Sequence, residues 1–250
     1  MKLNTRIKLF VLVLLTITAN SISAQDKQSP KNATQMKSLG EQLDERAQWA
    51  QQNFSKEVKD IYANGVESVI ASGIYERVLK VGDKAPNFTL KDQMGKELAL
   101  YDMLKETPVI LTWYRGGWCP YCNLTLHALQ DNLDEFKKAG ANLLALTPEL
   151  PDNSMSTAEK NELEFSILSD LDNKVAREYG LVFKLAPDVA KIYDAKFDLK
   201  SYNGNNSDEL PLAATYVINK DGVISYAFID ADYTKRAEPS EIIKAIEAIK

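Results

Sequence analysis

Residues 108–122 constrain this 250-residue chain more than any other stretch. Pro108-Val109-Ile110-Leu111-Thr112-Trp113-Tyr114 is a near-continuous apolar and β-branched run. Such a run suits a strand buried on both faces, as in a parallel sheet. Arg115-Gly116-Gly117-Trp118 follows, with two glycines that permit a sharp turn. Cys119-Pro120-Tyr121-Cys122 then opens a helical pattern. Proline suits the first helical turn, where its missing N–H would be unpaired anyway. A buried strand that turns directly into a helix belongs to a layered α/β architecture.

The rest of the chain keeps to that alternation. A helix over about 120–138 is expected to bury Leu126, Leu129, Leu133 and Phe136, with Gly140 closing it. Strands are expected at 142–146 and 165–168, and helical stretches near 156–162 and 173–179. Residues 186–210 read as less regular, with a polar loop over 201–208. Two further strands, 214–219 and 223–229, flank Lys220-Asp221-Gly222, whose Asp-Gly marks a tight hairpin. A last helix starts near Glu238-Pro239 and carries Ile242, Ile243, Ile246 and Ile249. Upstream, Ser38-Leu39-Gly40-Glu41 has capping-box spacing and predicts a helix over about 39–53. A second helix places Val58, Ile61, Tyr62, Val66, Val69 and Ile70 on one face, up to Gly73. These two helices form an arm that packs on the body or on a partner.

The first 24 residues have the three-part layout of a secretory signal peptide. Lys2, Arg6 and Lys8 precede an apolar run over 9–17, and Ser21-Ile22-Ser23-Ala24 supplies small residues before a cleavage expected after Ala24. The run is shorter than the ~20 apolar residues that a spanning helix needs. The protein is therefore expected to be exported, periplasmic or secreted. Residues 1–24 hold three of the 30 basic residues and none of the 35 acidic ones, so 27 bases face 35 acids in the remainder. That balance excludes nucleic acid as a partner, because binding it requires Lys and Arg to neutralise phosphates.

Cys119 and Cys122 are the only cysteines in the chain. A thiol is nucleophilic as thiolate, and its pKa falls at a helix N-terminus and beside a cation. Cys119 is expected where strand turns into helix, with Arg115 four residues earlier. Cys122 lies one turn before Leu126, on the buried stripe, whereas Cys119 is expected at the exposed tip. This spacing proposes Cys119 as attacking thiol and Cys122 as its resolving partner. In this context a C-x-x-C reads as a thioredoxin-like redox motif. A structural zinc needs four ligands, and the chain has two cysteines and one histidine, so no metal and no cofactor are expected. That histidine, His127, points away from the buried stripe and is expected to face solvent.

At these residues the chain resembles the peroxiredoxin-like branch of the alkyl hydroperoxide reductase and thiol-specific antioxidant (AhpC/TSA) family. The resemblance runs from about 39 to 250. It rests on Lys80-Val81-Gly82-Asp83-Lys84-Ala85-Pro86-Asn87-Phe88-Thr89-Leu90, on the run from Tyr114 to Asn123, on Leu168-Ser169-Asp170, and on the run from Ala214 to Gly222. It implies a thioredoxin-like fold: a mixed central sheet flanked by helices over 79–250, preceded by a polar leader and helical extension over 25–78. It implies reduction of hydroperoxides through a cysteine sulfenic acid, then a Cys119–Cys122 disulfide, with a thioredoxin-like thiol protein as reductant. The chain is also compatible with a homodimer. Thr112, Gly116, Gly117, Trp118, Pro120, Tyr121 and Ala213 complete the expected site around Cys119, Cys122 and Arg115. Peroxiredoxins usually carry P-x-x-x-T-x-x-C, and a gap-free count from Tyr114 puts their attacking cysteine at Cys122, their threonine at Cys119 and their proline at Arg115. Thioredoxin-type exchange proteins attack with the first cysteine, here Cys119. They place a cis-proline at the position held by Ala213. Three functions therefore stand at this stage: a thiol peroxidase, which leads, a thiol–disulfide oxidoreductase acting on proteins, and a binding domain with a structural disulfide.

Overall fold

A computed structural model describes residues 37–249. The expected signal peptide and nearly all of the polar leader lie outside them. Helix α1 (Leu39–Asn53) begins with the capping box expected of Ser38 and Glu41, each side chain bonding the other's backbone N–H. Ser55 caps α2 (Lys56–Ala71), and Gly73, at φ 70°, turns the chain into α3 (Ile74–Arg77). A hairpin of β1 (Thr89–Lys91) and β2 (Glu97–Ala99) leads to α4 (Leu100–Leu104). Then follow β3 (Val109–Trp113), α5 (Pro120–Asp131), α6 (Leu133–Ala139), β4 (Asn142–Thr147), α7 (Pro151–Lys160), β5 (Ser166–Ser169) and α8 (Lys174–Glu178). The last third holds β6 (Val182–Lys184), α9 (Pro187–Phe197), α10 (Leu199–Asn203), β7 (Glu209–Pro211), β8 (Ala214–Ile218), β9 (Ile224–Ile229) and α11 (Pro239–Glu247).

The main sheet runs β5-β4-β3-β8-β9. β3 is its centre, parallel to β4 and antiparallel to β8, so the sheet is mixed. Successive strand residues point to opposite faces. Ile110, Leu143 and Ala145 therefore pack under α5, α6 and α11. Val109, Leu111, Trp113, Leu144 and Leu146 pack on the other face with Val69, Ile74, Val78 and Tyr179. All five residues of β3 are buried, as its composition predicts. The arm packs on the body: Leu39 and Leu43 join the first layer, while Val69 and Ile74 join the second.

Three expectations are corrected. The helix over 120–138 is two helices, because Asn132 (φ −103°, ψ 7°) leaves helical geometry between them. Its side-chain N–H donates to the Ala128 carbonyl, the kind of local side-chain bond that competes with a helix. Residues 186–210 hold two helices and a strand. Val189, Ala190 and Tyr193 form the buried face of α9, and Asp198 and Gly204, both in the left-handed region, end α9 and α10 in place of an open loop. The helix expected near 156–162 starts earlier, with Pro151 in its first turn.

Candidate active site

β3 delivers the chain to the site. Tyr114 still bonds to the sheet through its N–H to Leu146 O at 3.0 Å. Gly116 then turns at φ 154°, where an added Cβ would meet the Trp118 ring. A Cβ on Gly117 would fall 2.1 Å from Thr157 Oγ1. Both glycines are required by close approach, the first also by its backbone. Cys119 is the N-cap residue of α5 and Pro120 its first residue. Thr112 on β3 faces Thr215 on β8, their hydroxyls 3.1 Å apart.

The expected tip position of Cys119 is corrected: both thiols are fully buried. Trp118 folds over the turn and stacks on Phe197 of α9, ring centroids 4.9 Å apart. A helix in the stretch expected to be less regular thus covers the cysteine.

Arg115 Nη2 donates to Cys119 Sγ at 3.1 Å, and Nη1 donates to Tyr193 Oη at 2.9 Å. Its guanidinium lies 4.4 Å from the Tyr233 ring centroid. Arg236 Nη2 donates to Cys122 Sγ at 3.5 Å. Burial pushes the Cys119 thiol up, but the hydrogen bond from Cys122 and the charges of Arg115 and Arg236 outweigh it, and its pKa lies well below the ordinary thiol value. Burial and the hydrogen bond to Cys119 hold the Cys122 thiol well above that value. Of the two thiols, Cys119 is therefore the one whose surroundings favour the thiolate.

A buried carboxylate braces the turn from below. Glu149 Oε1 accepts the Gly117 N–H at 2.9 Å, and Oε2 accepts the Tyr114 hydroxyl at 3.2 Å. Asn123 Nδ2 donates to the Gly117 carbonyl at 2.8 Å. Burial pushes the Glu149 carboxyl up to about 7, against the hydrogen bonds that favour its ionised form. The fold therefore binds this proton more tightly than the unfolded chain does. Stability falls as pH rises from the ordinary glutamate value toward 7, by about 3 kcal/mol for such a shift. Glu149→Gln removes that slope while its amide oxygen keeps the Gly117 bond. Its stability relative to wild type is expected to rise between pH 4.5 and 8 in urea titrations, whereas parallel pH curves would contradict the assignment.

Of the residues expected at the site, Arg115, Gly116, Gly117, Trp118, Cys119, Pro120, Tyr121 and Cys122 are brought together. Ala213 lies between β7 and β8, in the wall of a narrow pocket that also touches Arg115. His127 is exposed on α5, as expected. Glu149, Tyr193, Tyr233 and Arg236 were not anticipated. Only Tyr193 had a signal, the helical spacing of Val189, Ala190, Tyr193 and Phe197. Among the described residues no three His, Cys, Asp or Glu side chains cluster closely enough to hold a metal.

The model of the AhpC/TSA family matches residues 81–227. The chain belongs to the AhpC/TSA family. It is 32% identical over 152 residues to peroxiredoxin Bcp of Escherichia coli, a match covering 61% of this chain and 86% of that protein. It is 29% identical over 182 residues to the chloroplastic peroxiredoxin Q of Populus jackii, covering 73% and 74%. The structure of peroxidoxin BcpB from Mycobacterium tuberculosis superposes with a TM-score of 0.55 at 21% identity, covering 69% of this chain and 99% of that one, and shares its fold. AhpC/TSA peroxiredoxins are thiol-dependent peroxidases, and this chain is one of them by descent. α1, α2, Tyr233 and Arg236 lie outside the segment matched by the family.

Proposed function

We propose that this AhpC/TSA protein reduces hydroperoxides with Cys119 as the attacking thiol and Cys122 as the resolving one. The carrying observation is the donor set on Cys119: an arginine N–H at 3.1 Å and a second arginine beside the partner sulfur. The family's gap-free register points to Cys122 instead, but the shorter arginine contact, 3.1 Å against 3.5 Å, is to Cys119. The Cys119 thiolate attacks one peroxide oxygen. An S–O bond forms, the O–O bond breaks, and the departing alkoxide takes a proton from water to become an alcohol. Arg115 is placed to stabilise the charge that moves onto that oxygen. Cys119, now a sulfenic acid, is attacked by Cys122. The disulfide forms, and the Cys122 proton leaves with the sulfenic hydroxyl as water. A thioredoxin-like dithiol protein then returns both sulfurs to thiols and is itself oxidised.

Sulfenic-acid trapping with dimedone tests the assignment. In Cys122→Ser, hydrogen peroxide should leave a labelled Cys119, and Cys119→Ser should stay unlabelled. Label on Cys122 alone would reverse the roles. Peroxide consumption no faster than by free cysteine would leave disulfide exchange on proteins or a structural disulfide, which turnover of an oxidised model protein separates. The proposal includes export to the periplasm or beyond, supported by the basic, apolar and small-residue order of residues 1–24. Fractionation of cells expressing the full chain tests it. It extends to a homodimer, which sedimentation of the purified chain tests.

A further inference from the structure

A cleft of about 270 Å³ opens above Arg115. That is near the lower bound of ligand pockets, roughly 300 Å³. Arg115, whose guanidinium donates to Cys119, is part of its lining. Its walls are aromatic: Trp118 from the turn, Tyr193 and Phe197 from α9, and Tyr62 from α2. The arm thus supplies one wall, and it lies outside the segment matched by the family.

Two cations stand at the cleft. Arg46 of α1 stacks over Trp49, its guanidinium 4.1 Å from the ring centroid. Lys196 of α9 holds its ammonium 5.2 Å from the Phe54 ring centroid. Both line the cleft, and among the described residues neither makes a salt bridge. The nearby acid of α9, Asp194, is taken by Lys200 at 2.6 Å. In a chain with net charge −5, two cations without carboxylate partners beside an aromatic cleft call for an anion from outside. Hydrogen peroxide uses neither feature, being small and neutral. A neutral alkyl peroxide uses only the walls.

We infer that the cleft selects organic hydroperoxides that carry a carboxylate, holding the apolar body between the aromatic walls and the carboxylate at Arg46 and Lys196. The inference rests on the peroxidase activity proposed above. It makes the arm a determinant of specificity. Arg115 in the lining receives the peroxide group, and the two cations fix the far end of the molecule.

A matched pair of probes tests this: para-carboxy cumene hydroperoxide and its methyl ester, with hydrogen peroxide alongside. Second-order rate constants for oxidation of the reduced full-length protein are measured at low salt. The acid should react about tenfold faster than the ester, the lower end of what a charged cleft gives. That ratio should fall as salt rises, since surface charges are screened within ~10 Å at 0.1 M. In the double variant Arg46→Gln, Lys196→Gln the ratio should approach one. An acid no faster than its ester in wild type overturns the inference, as does a ratio that survives the double substitution. If hydrogen peroxide and the ester are consumed while the ratio is one, the peroxidase activity stands and only the selectivity fails. If none of the three is consumed, the peroxidase proposal itself falls.

Discussion

Replacing Arg115 with methionine should slow the reaction of the reduced protein with hydrogen peroxide at pH 7 by about 10²–10³-fold, the usual loss when one preorganised donor to a reacting charge is removed. The reason lies in the balance of forces on Cys119. Its complete burial opposes ionisation, and only the arginines and the Cys122 hydrogen bond reverse that. Arg115 is the closer cation, bonded to the sulfur itself, whereas Arg236 bonds to Cys122. Without Arg115 the sulfur loses its nearest cation and one hydrogen bond, and burial pushes the Cys119 thiol back up. The rising limb of the pH–rate profile should therefore move to higher pH. Methionine keeps the length and apolar bulk, so the change isolates the charge and the fork. Arg115→Lys should recover part of the rate, because it restores a charge but not the planar donors that serve Cys119 and Tyr193 together. Stopped-flow rates across pH read both effects. An Arg115→Met protein with wild-type rate and profile would mean that another group holds the thiolate.

Gly180→Ala should destabilise the protein by about 3–5 kcal/mol, the sum of left-handed strain and forced overpacking. Gly180 ends α8 at φ 73°, and an added Cβ would lie 2.2 Å from the Arg77 carbonyl oxygen and 2.9 Å from the Val78 nitrogen. Those atoms are backbone and cannot rotate away. The contact joins the end of the arm to the body, next to the Leu79 N–H bond to Tyr179 O at 3.2 Å. Relieving the clash means lifting the segment after α3, which carries Val78 out of the second core layer. For a chain of this size the melting temperature should fall by roughly 10 °C. Gly140→Ala is the matched control. It has the same kind of positive φ, 92°, but nothing within 4 Å of an added Cβ, so only the strain of about 1 kcal/mol remains. Thermal melts that coincide for the two variants would show that the arm does not approach α8 as described.

Much of the fold was legible residue by residue. Ser38 and Glu41 announced α1, the run 109–113 announced the central strand, and Asp221-Gly222 announced the turn between β8 and β9. These signals are local: a cap, a period or a turn conformation is written within a few neighbouring residues. The failures were local ambiguities. Asn132 interrupts an apolar stripe that stays in phase on both sides of it. Polar residues over 198–208 masked α10 and the end of α9, because Asp, Asn and Gly serve helix ends as readily as loops.

The site divides along the same line. Sequence alone determined that a pair of thiols stands at a strand-to-helix turn, with glycines before it, proline within it and an arginine four residues away. Short-range geometry suffices for that. Tertiary structure decided which charges and rings surround each sulfur. Arg236 arrives from more than a hundred residues downstream, Glu149 from the next strand's end, and Tyr193 from a helix that lies over the turn. Exposure of Cys119 was misjudged for the same reason. A helix tip is open until something packs on it, and here Trp118 and Phe197 close it. A thiol's pKa depends on charges and burial within a few ångströms in space, and chain spacing records only the few of them that are also near in sequence.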